Sequence, residues 1–503
     1  MTKDAQRAVT DKDAAKSISS NRKLALGAIT SGGVNFLKVG LQLLLLPIMA
    51  RLLGPDEFGI YALALPTISI VSLLAEGGLG ATLAREPETS SLVWSSAFWF
   101  LLVAGVALAV SASAFGFLLA FLVAKPRIAW MIVWLSFSLV FLVLSVLPSA
   151  RLSRRKNLGA GAAAELAGSV AGAIVAIGLA LNGAGAWSLV AQYLTIYAIR
   201  AIVLNYSAFE RPQFVFSLAS IRSHIASGGL VVGLRFSDYI GRISENVLVD
   251  RIFGSSLVGS FTFANQVARF STESVSNVSW SVLYVQALTS DRTATINLHS
   301  QLCRLLASAL FPITFLGAAA APELIFDLLG PRWNDLALLL RILLPISALS
   351  VVGAQVGPLL LAIDRFGVFF WCAVGLGVAR ILAIVAGWWL GMTGMVLGIG
   401  TATLLHFVVL IVVAATSIDR RIIRMLRGLI GPGISSLVAA GLCRLLLDML
   451  PIERWTLLPA LAGGVVAFLV CMIAIDRKGL VSDLATIRRL VSTPRFSASP
   501  NSA

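Results

Sequence analysis

From about residue 26 to residue 475, apolar runs of roughly twenty residues alternate with short polar breaks. A run of that length is what an α-helix needs to cross a bilayer. The pattern predicts spans near 26–50, 58–81, 93–118, 127–147, 160–181, 186–205 and 227–249, and then near 257–286, 302–321, 335–361, 367–389, 393–415, 430–449 and 456–475. That is an all-α polytopic membrane protein of about fourteen helices, with 93–118 extending to about 123 either as one long helix or with a bent end.

One stretch of this pattern occurs twice, 200 residues apart. Arg51-Leu52-Leu53-Gly54 is followed by Gly59-Ile60-Tyr61 and Ala64, and Arg251-Ile252-Phe253-Gly254 by Gly259-Ser260-Phe261 and Ala264. Upstream, Asn35, Lys38 and Gln42 interrupt an apolar run where Arg235, Asp238 and Arg242 interrupt the other. So long a period implies a duplicated bundle, the usual architecture of secondary transporters. With six helices between the copies, both halves face the same way. The expected organisation is a tail (1–23), a six-helix bundle (24–206), a cytoplasmic linker (207–226), a second six-helix bundle (227–416), two accessory helices (430–476) and a second tail (477–503). Such a parallel repeat predicts a pseudo-twofold axis along the membrane normal.

Composition supports the membrane reading: 58% hydrophobic and 13% charged over 503 residues, with a mean hydropathy of +0.91. A net charge of +15 would suggest nucleic acid in a soluble protein, but here the basic residues lie between spans and report topology. Arg151, Arg154, Arg155 and Lys156 share one loop, and Arg420, Arg421, Arg424 and Arg427 another. They fall on the side of Arg22-Lys23 and of the tail with Arg477, Lys478, Arg488 and Arg489, which predicts cytoplasmic termini. The four cysteines have no CxxC spacing and the three histidines do not cluster, so neither a disulfide framework nor a metal site is expected. No phosphate-cradling loop or other cofactor motif is present, so no cofactor is expected and no ATP hydrolysis on this chain.

The chemistry concentrates on the seventh span. Arg235, Asp238, Arg242 and Glu245 fall within an arc of roughly 80°, which Asn246 extends. Each charge at membrane depth costs about 2.5–3.5 kcal/mol on insertion scales, so the stripe must face water or partners. One reading is structural ion pairing, Arg235 with Asp238 and Arg242 with Glu245. The other is one wall of a central cavity, with Asn35, Lys38 and Gln42 forming the matching wall of the first half. Arg269, four residues before Glu273, and Arg380 are further cationic candidates. Glu76 and Glu165 read as solvated helix-end acids, and Arg444 and His406 as structural.

The run Pro47-Ile48-Met49-Ala50-Arg51-Leu52-Leu53-Gly54-Pro55-Asp56-Glu57-Phe58-Gly59-Ile60-Tyr61-Ala62 resembles the opening of bacterial polysaccharide-biosynthesis flippases. These belong to the multidrug/oligosaccharidyl-lipid/polysaccharide exporter superfamily. Glu76-Gly77-Gly78-Leu79-Gly80 and Asp250-Arg251-Ile252-Phe253-Gly254 look similar too. The resemblance implies a non-enzymatic carrier in the bacterial inner membrane. It would move an undecaprenyl-diphosphate-linked oligosaccharide outward by alternating access, for surface polysaccharide or exopolysaccharide synthesis. Lys38, Arg235, Arg242, Arg269 and Arg380 would then neutralise the diphosphate, and Asp238 or Glu245 would be candidates for ion coupling. Expected partners are that glycolipid, membrane lipids, and the polymerase and chain-length proteins of the same pathway, with no nucleic acid. Runners-up are a lipid II flippase, a multidrug exporter and, from another class, a polysaccharide polymerase or ligase. The last would normally carry a large outer loop, and no outer loop here exceeds about fifteen residues. A major-facilitator carrier is disfavoured because the loop after the second span reads Gly80-Ala81-Thr82-Leu83-Ala84-Arg85-Glu86.

Overall fold

The computed structural model describes residues 3–76, 79–83, 90–155, 157–449 and 456–492. Side chains of several helical stretches, 3–32 and 223–238 foremost, lie outside that description. The described residues form fifteen α-helices: α1 (Lys3–Glu76), α2 (Leu79–Leu83), α3 (Ser91–Val123), α4 (Pro126–Arg154), α5 (Leu158–Leu181), α6 (Trp187–Ala208), α7 (Leu218–Phe253) and α8 (Ser255–Thr289) are followed by α9 (Arg292–Ala319), α10 (Ala321–Leu329), α11 (Asn334–Ala354), α12 (Val356–Ala362), α13 (Phe366–Ser417), α14 (Met425–Met449) and α15 (Leu457–Ser492). Among the described residues, ten helical stretches are long and apolar enough to cross a bilayer. The stretches in α1 and α13 contain a break well inside them, at Gly54 and at Gly391. Each therefore holds two of the runs seen in sequence. The charged α7 and α8 are not among the ten. α3 is one helix of 33 residues, without a bent end.

The chain divides into two compact units, Met1–Gly259 and Ser260–Ala503. In the first, α3 and α4 enclose a core of Trp94, Leu101, Leu139, Leu142 and Val143 with Ala75 of α1 and Ile221 of α7. α5 meets α6 at Gly168 and Gly172, where a Cβ would press on Ile196. In a bilayer, where lipid is as apolar as leucine, such small-residue contacts let van der Waals packing hold helices together.

The repeated motif forms a contact with itself. Gly54 (φ 76°, ψ 170°) and Gly254 (φ 88°, ψ 172°) share a backbone conformation that L side chains avoid. Each reverses the chain into the next helix, and those helices cross at the other repeated glycine. A Cβ on Gly59 would collide with the Ser255 carbonyl, and one on Gly259 with the Pro55 carbonyl. Pro55 and Ser255 are themselves 200 residues apart, so the crossing is two-fold symmetric in its partners.

The second unit is built on α9. Leu306, Leu310 and Phe311 pack with Ala348 and Val352 of α11, Phe407 and Ile411 of α13, and Met425 and Leu429 of α14. Leu316 joins a second core with Ala439 and Cys443 of α14 and Phe468 and Met472 of α15. Arg304 of α9 pairs with Asp476 of α15 at 2.8 Å. The accessory helices of the sequence are thus fastened to the second unit.

Candidate functional site

The polar break in the first leg of α1 finds its partners on two later helices. Lys38 Nζ donates to Glu165 Oε2 of α5 at 2.7 Å, and Arg200 Nη2 of α6 lies 3.9 Å from Glu165 Oε1. One carboxylate therefore sits between two cations, leaving the trio a net charge of +1. None is sealed off: the side chains of Lys38, Glu165 and Arg200 are 27%, 38% and 24% accessible. Charges buried fully in a bundle are locked by their desolvation cost, whereas a part-open trio can exchange partners with a ligand. Tyr193 and Tyr197 share a face of α6 with Arg200, their rings 4.8 Å apart. Asn35 and Gln42 flank Lys38 as exposed residues. Glu165, read from the sequence as a solvated helix-end acid, is part-exposed and also ion-paired. It begins the third turn of α5 and is held by Lys38, because α1 packs along α5.

The stripe on α7 is engaged at its C-terminal end. Arg242 lies over the Tyr239 ring at 5.1 Å, in cation–π geometry. Glu245 is half-buried. Buried Asn246 donates to the Ala62 carbonyl at 2.8 Å, tying α7 to the second leg of α1. One turn on, buried Asp250 pairs with Lys125. The side chains of Arg235 and Asp238, and those of Glu76 and Glu273, lie outside the described residues. Arg269 on α8 and Arg380 on α13 are half-buried in the second unit. The structure therefore brings Lys38 together with two residues outside the sequence candidates, Glu165 and Arg200.

Other charged groups work as fasteners. Glu57 accepts both Arg127 guanidinium nitrogens, at 2.7 and 2.9 Å, and the Ala186 N–H at 2.6 Å, which joins α1, α4 and the start of α6. Its bidentate geometry explains why an acid stands beside Gly54-Pro55. Arg444 binds Glu323 at 2.7 Å and also Asp448, the structural role its sequence context suggests. Gln355, fully buried, accepts from Ser279 at 2.8 Å and donates to Ser276 at 3.0 Å. A cavity of about 150 Å³ lies among Trp94, Pro148, Arg151, Asn205 and Glu210. It is too small for an oligosaccharide on a lipid carrier.

A family model described as polysaccharide biosynthesis protein matches residues 48–338, from the motif around Gly54 through its second copy and into α11. The chain belongs to that family. Within the polysaccharide biosynthesis family, similarity extends to the succinoglycan biosynthesis transport protein ExoT of Rhizobium meliloti (strain 1021). Identity is 28% over 361 residues, covering 69% of this chain and 71% of the relative. The lipopolysaccharide biosynthesis protein WzxC of Escherichia coli (strain K12) is 23% identical over 386 residues, covering 76% and 78%. Among solved structures, the lipid II flippase MurJ in an inward closed conformation has a TM-score of 0.71 at 12% identity, covering 90% of this chain and 100% of that one. An inward-facing multidrug resistance MATE family transporter of the MOP superfamily scores 0.57 at 18% identity, covering 77% and 96%. These two establish the fold: a polytopic bundle of helices.

Proposed function

We propose that this protein is a flippase that carries an undecaprenyl-diphosphate-linked oligosaccharide repeat unit across the bacterial inner membrane for surface or exopolysaccharide synthesis. The observation that carries the reading is the Lys38–Glu165–Arg200 trio, a cationic and part-open set inside a membrane bundle. A diphosphate offers oxygens to both cations, and an arginine fork suits phosphate geometry. Glycan hydroxyls find hydrogen-bonding groups in Asn35, Gln42 and Tyr193, while the polyprenyl chain stays in lipid. Arg242, Arg269 and Arg380 supply further positive charge along the route, with Arg235 as a sequence candidate. Glu165 joins Asp238 and Glu245 as a carboxylate able to take up a coupling ion. Fourteen spans with cytoplasmic termini and alternating access complete the proposal. The relatives named for succinoglycan and lipopolysaccharide favour this substrate class over lipid II or drugs.

The test is deletion of the gene, with surface polysaccharide and lipid-linked sugars assayed in the same cells. Loss of a polymer with build-up of its undecaprenyl-linked repeat unit on the inner leaflet is expected. Repeat units already exposed on the outer leaflet would instead indicate a polymerisation defect. An unchanged glycan profile in a strain lacking other flippases would sink the reading.

A further inference from the structure

After α6 the chain runs without helix from Phe209 to Ser217 before α7 begins. Its backbone is held down along most of that length. The Gln213 N–H donates to Ser95 Oγ at 3.0 Å, the Ser217 N–H to Ser96 Oγ at 2.9 Å, and Trp99 Nε1 donates to the Gln213 carbonyl at 2.9 Å. Glu210 is gripped by Arg151 at 3.1 Å and Arg155 at 3.0 Å. Ser95 and Ser96 are buried, so these are fixed anchor points on α3 and not surface contacts. The segment is a strap across the ends of α3 and α4.

The outer side of this strap is aromatic. Tyr206 is 94% and Phe214 92% exposed, and Phe209, Val215, Phe216 and Leu218 are exposed as well. A linker in bulk water has no reason to fix its backbone while turning three aromatic rings outward, with Tyr206 of the last turn of α6 beside them. Its height on the helices identifies the surroundings. At 1.5 Å per residue, the 33 residues of α3 span about 50 Å, against a hydrocarbon core of about 30 Å. About 10 Å, or some seven residues, therefore project beyond the core at each end. Counting from Ser91, Trp99 reaches the edge of the hydrocarbon, and the Phe214 ring stacks on Trp99 at 5.3 Å. Amphipathic rings collect at that depth in membrane proteins. Arg155, Arg211 and Arg222 are exposed around them, and basic residues at that height are attracted to an anionic leaflet.

We infer that residues 206–218 form an interfacial strap that lies in the headgroup–acyl boundary of the leaflet on the basic side and binds anionic phospholipid there. The aromatic rings insert between acyl chains, and the arginines meet the phosphates. The segment leading to α7 is then moored to the bilayer surface and does not hang in the cytosol. This holds whatever the transported substrate is.

The test uses the full chain in nanodiscs of phosphatidylcholine with and without phosphatidylglycerol. A nitroxide is attached at F214C in a background where Cys303, Cys372, Cys443 and Cys471 are serine. Greater relaxation by oxygen than by a polar nickel chelate is expected, as at the membrane boundary. Dominant relaxation by the chelate would overturn the inference. A photo-crosslinking residue at Phe214 in the otherwise natural chain covers the case where the serine background misfolds. Lipid adducts in native membranes support the strap, and adducts only to another protein refute it. R211E is expected to lower retained phosphatidylglycerol several-fold, and unchanged retention would remove the anionic-lipid part.

Discussion

The two legs of α1 on either side of Gly54 use opposite physics. Beyond the break, Gly59 meets Ser255 and Gly259 backbone to backbone, with no room for a methyl group. Before it, Lys38 reaches Glu165 through a long, part-solvated side chain with Arg200 alongside. The first contact tolerates no change of distance. The second runs through long side chains that can lengthen or rotate without moving the backbone. Architecture therefore resides in the glycine crossing, and the ligand exchange proposed above in the trio.

The largest effect is expected from G59V or G259V. Overpacking costs about 1–3 kcal/mol and occasionally more, and the backbone atoms met at this crossing cannot swing aside, so thermal unfolding in detergent should show a lower Tm or no folded protein. A wild-type Tm for both would abolish the contrast. K38M should do the reverse: near-normal Tm and yield, but at least a tenfold loss of polymer in a complementation assay. A large fall in its Tm would make the trio structural. E165Q sharpens the point, because it frees Lys38 and Arg200 from their counter-ion. A soluble polyprenyl-diphosphate analogue should bind several-fold tighter by calorimetry while turnover falls; weaker binding would place the carboxylate on the ligand side. The smallest effect belongs to D448N, at an exposed i,i+4 pair with Arg444, which should leave both Tm and polymer unchanged.

Much of this was legible in the sequence. The apolar runs carried the helices, and the 200-residue period pointed to a duplicated bundle; the crossing of the two copies at Gly59 and Gly259 was not read from it, because a glycine's close approach shows only in the packing. Lys38 stood out because a lysine at membrane depth demands a partner. Its partner did not stand out: Glu165 lies 127 residues away on a helix whose own pattern is ordinary, and only the packing of α1 along α5 turns a helix-end acid into a counter-ion. Arg200 was hidden in the same way, in an α6 that otherwise reads as aromatic and aliphatic. Its spacing of three and seven from Tyr197 and Tyr193 was the available signal. Asn246 was read as the end of a stripe and Asp250 as part of the second motif copy, whereas their burial against α1 and Lys125 makes them ties.

The glycine crossing also sets a schedule for biogenesis. Gly59 leaves the ribosome 200 residues before Gly259, about 10–40 s earlier at bacterial elongation rates. Throughout that interval the groove at Gly59 has no partner and must be lined by lipid, while the Glu57–Arg127 tie can close as soon as α4 is inserted. The early bundle thus assembles without its crossing and accepts the second copy of the motif late. A chain stalled before Gly254 would present an open glycine groove to the membrane quality-control proteases.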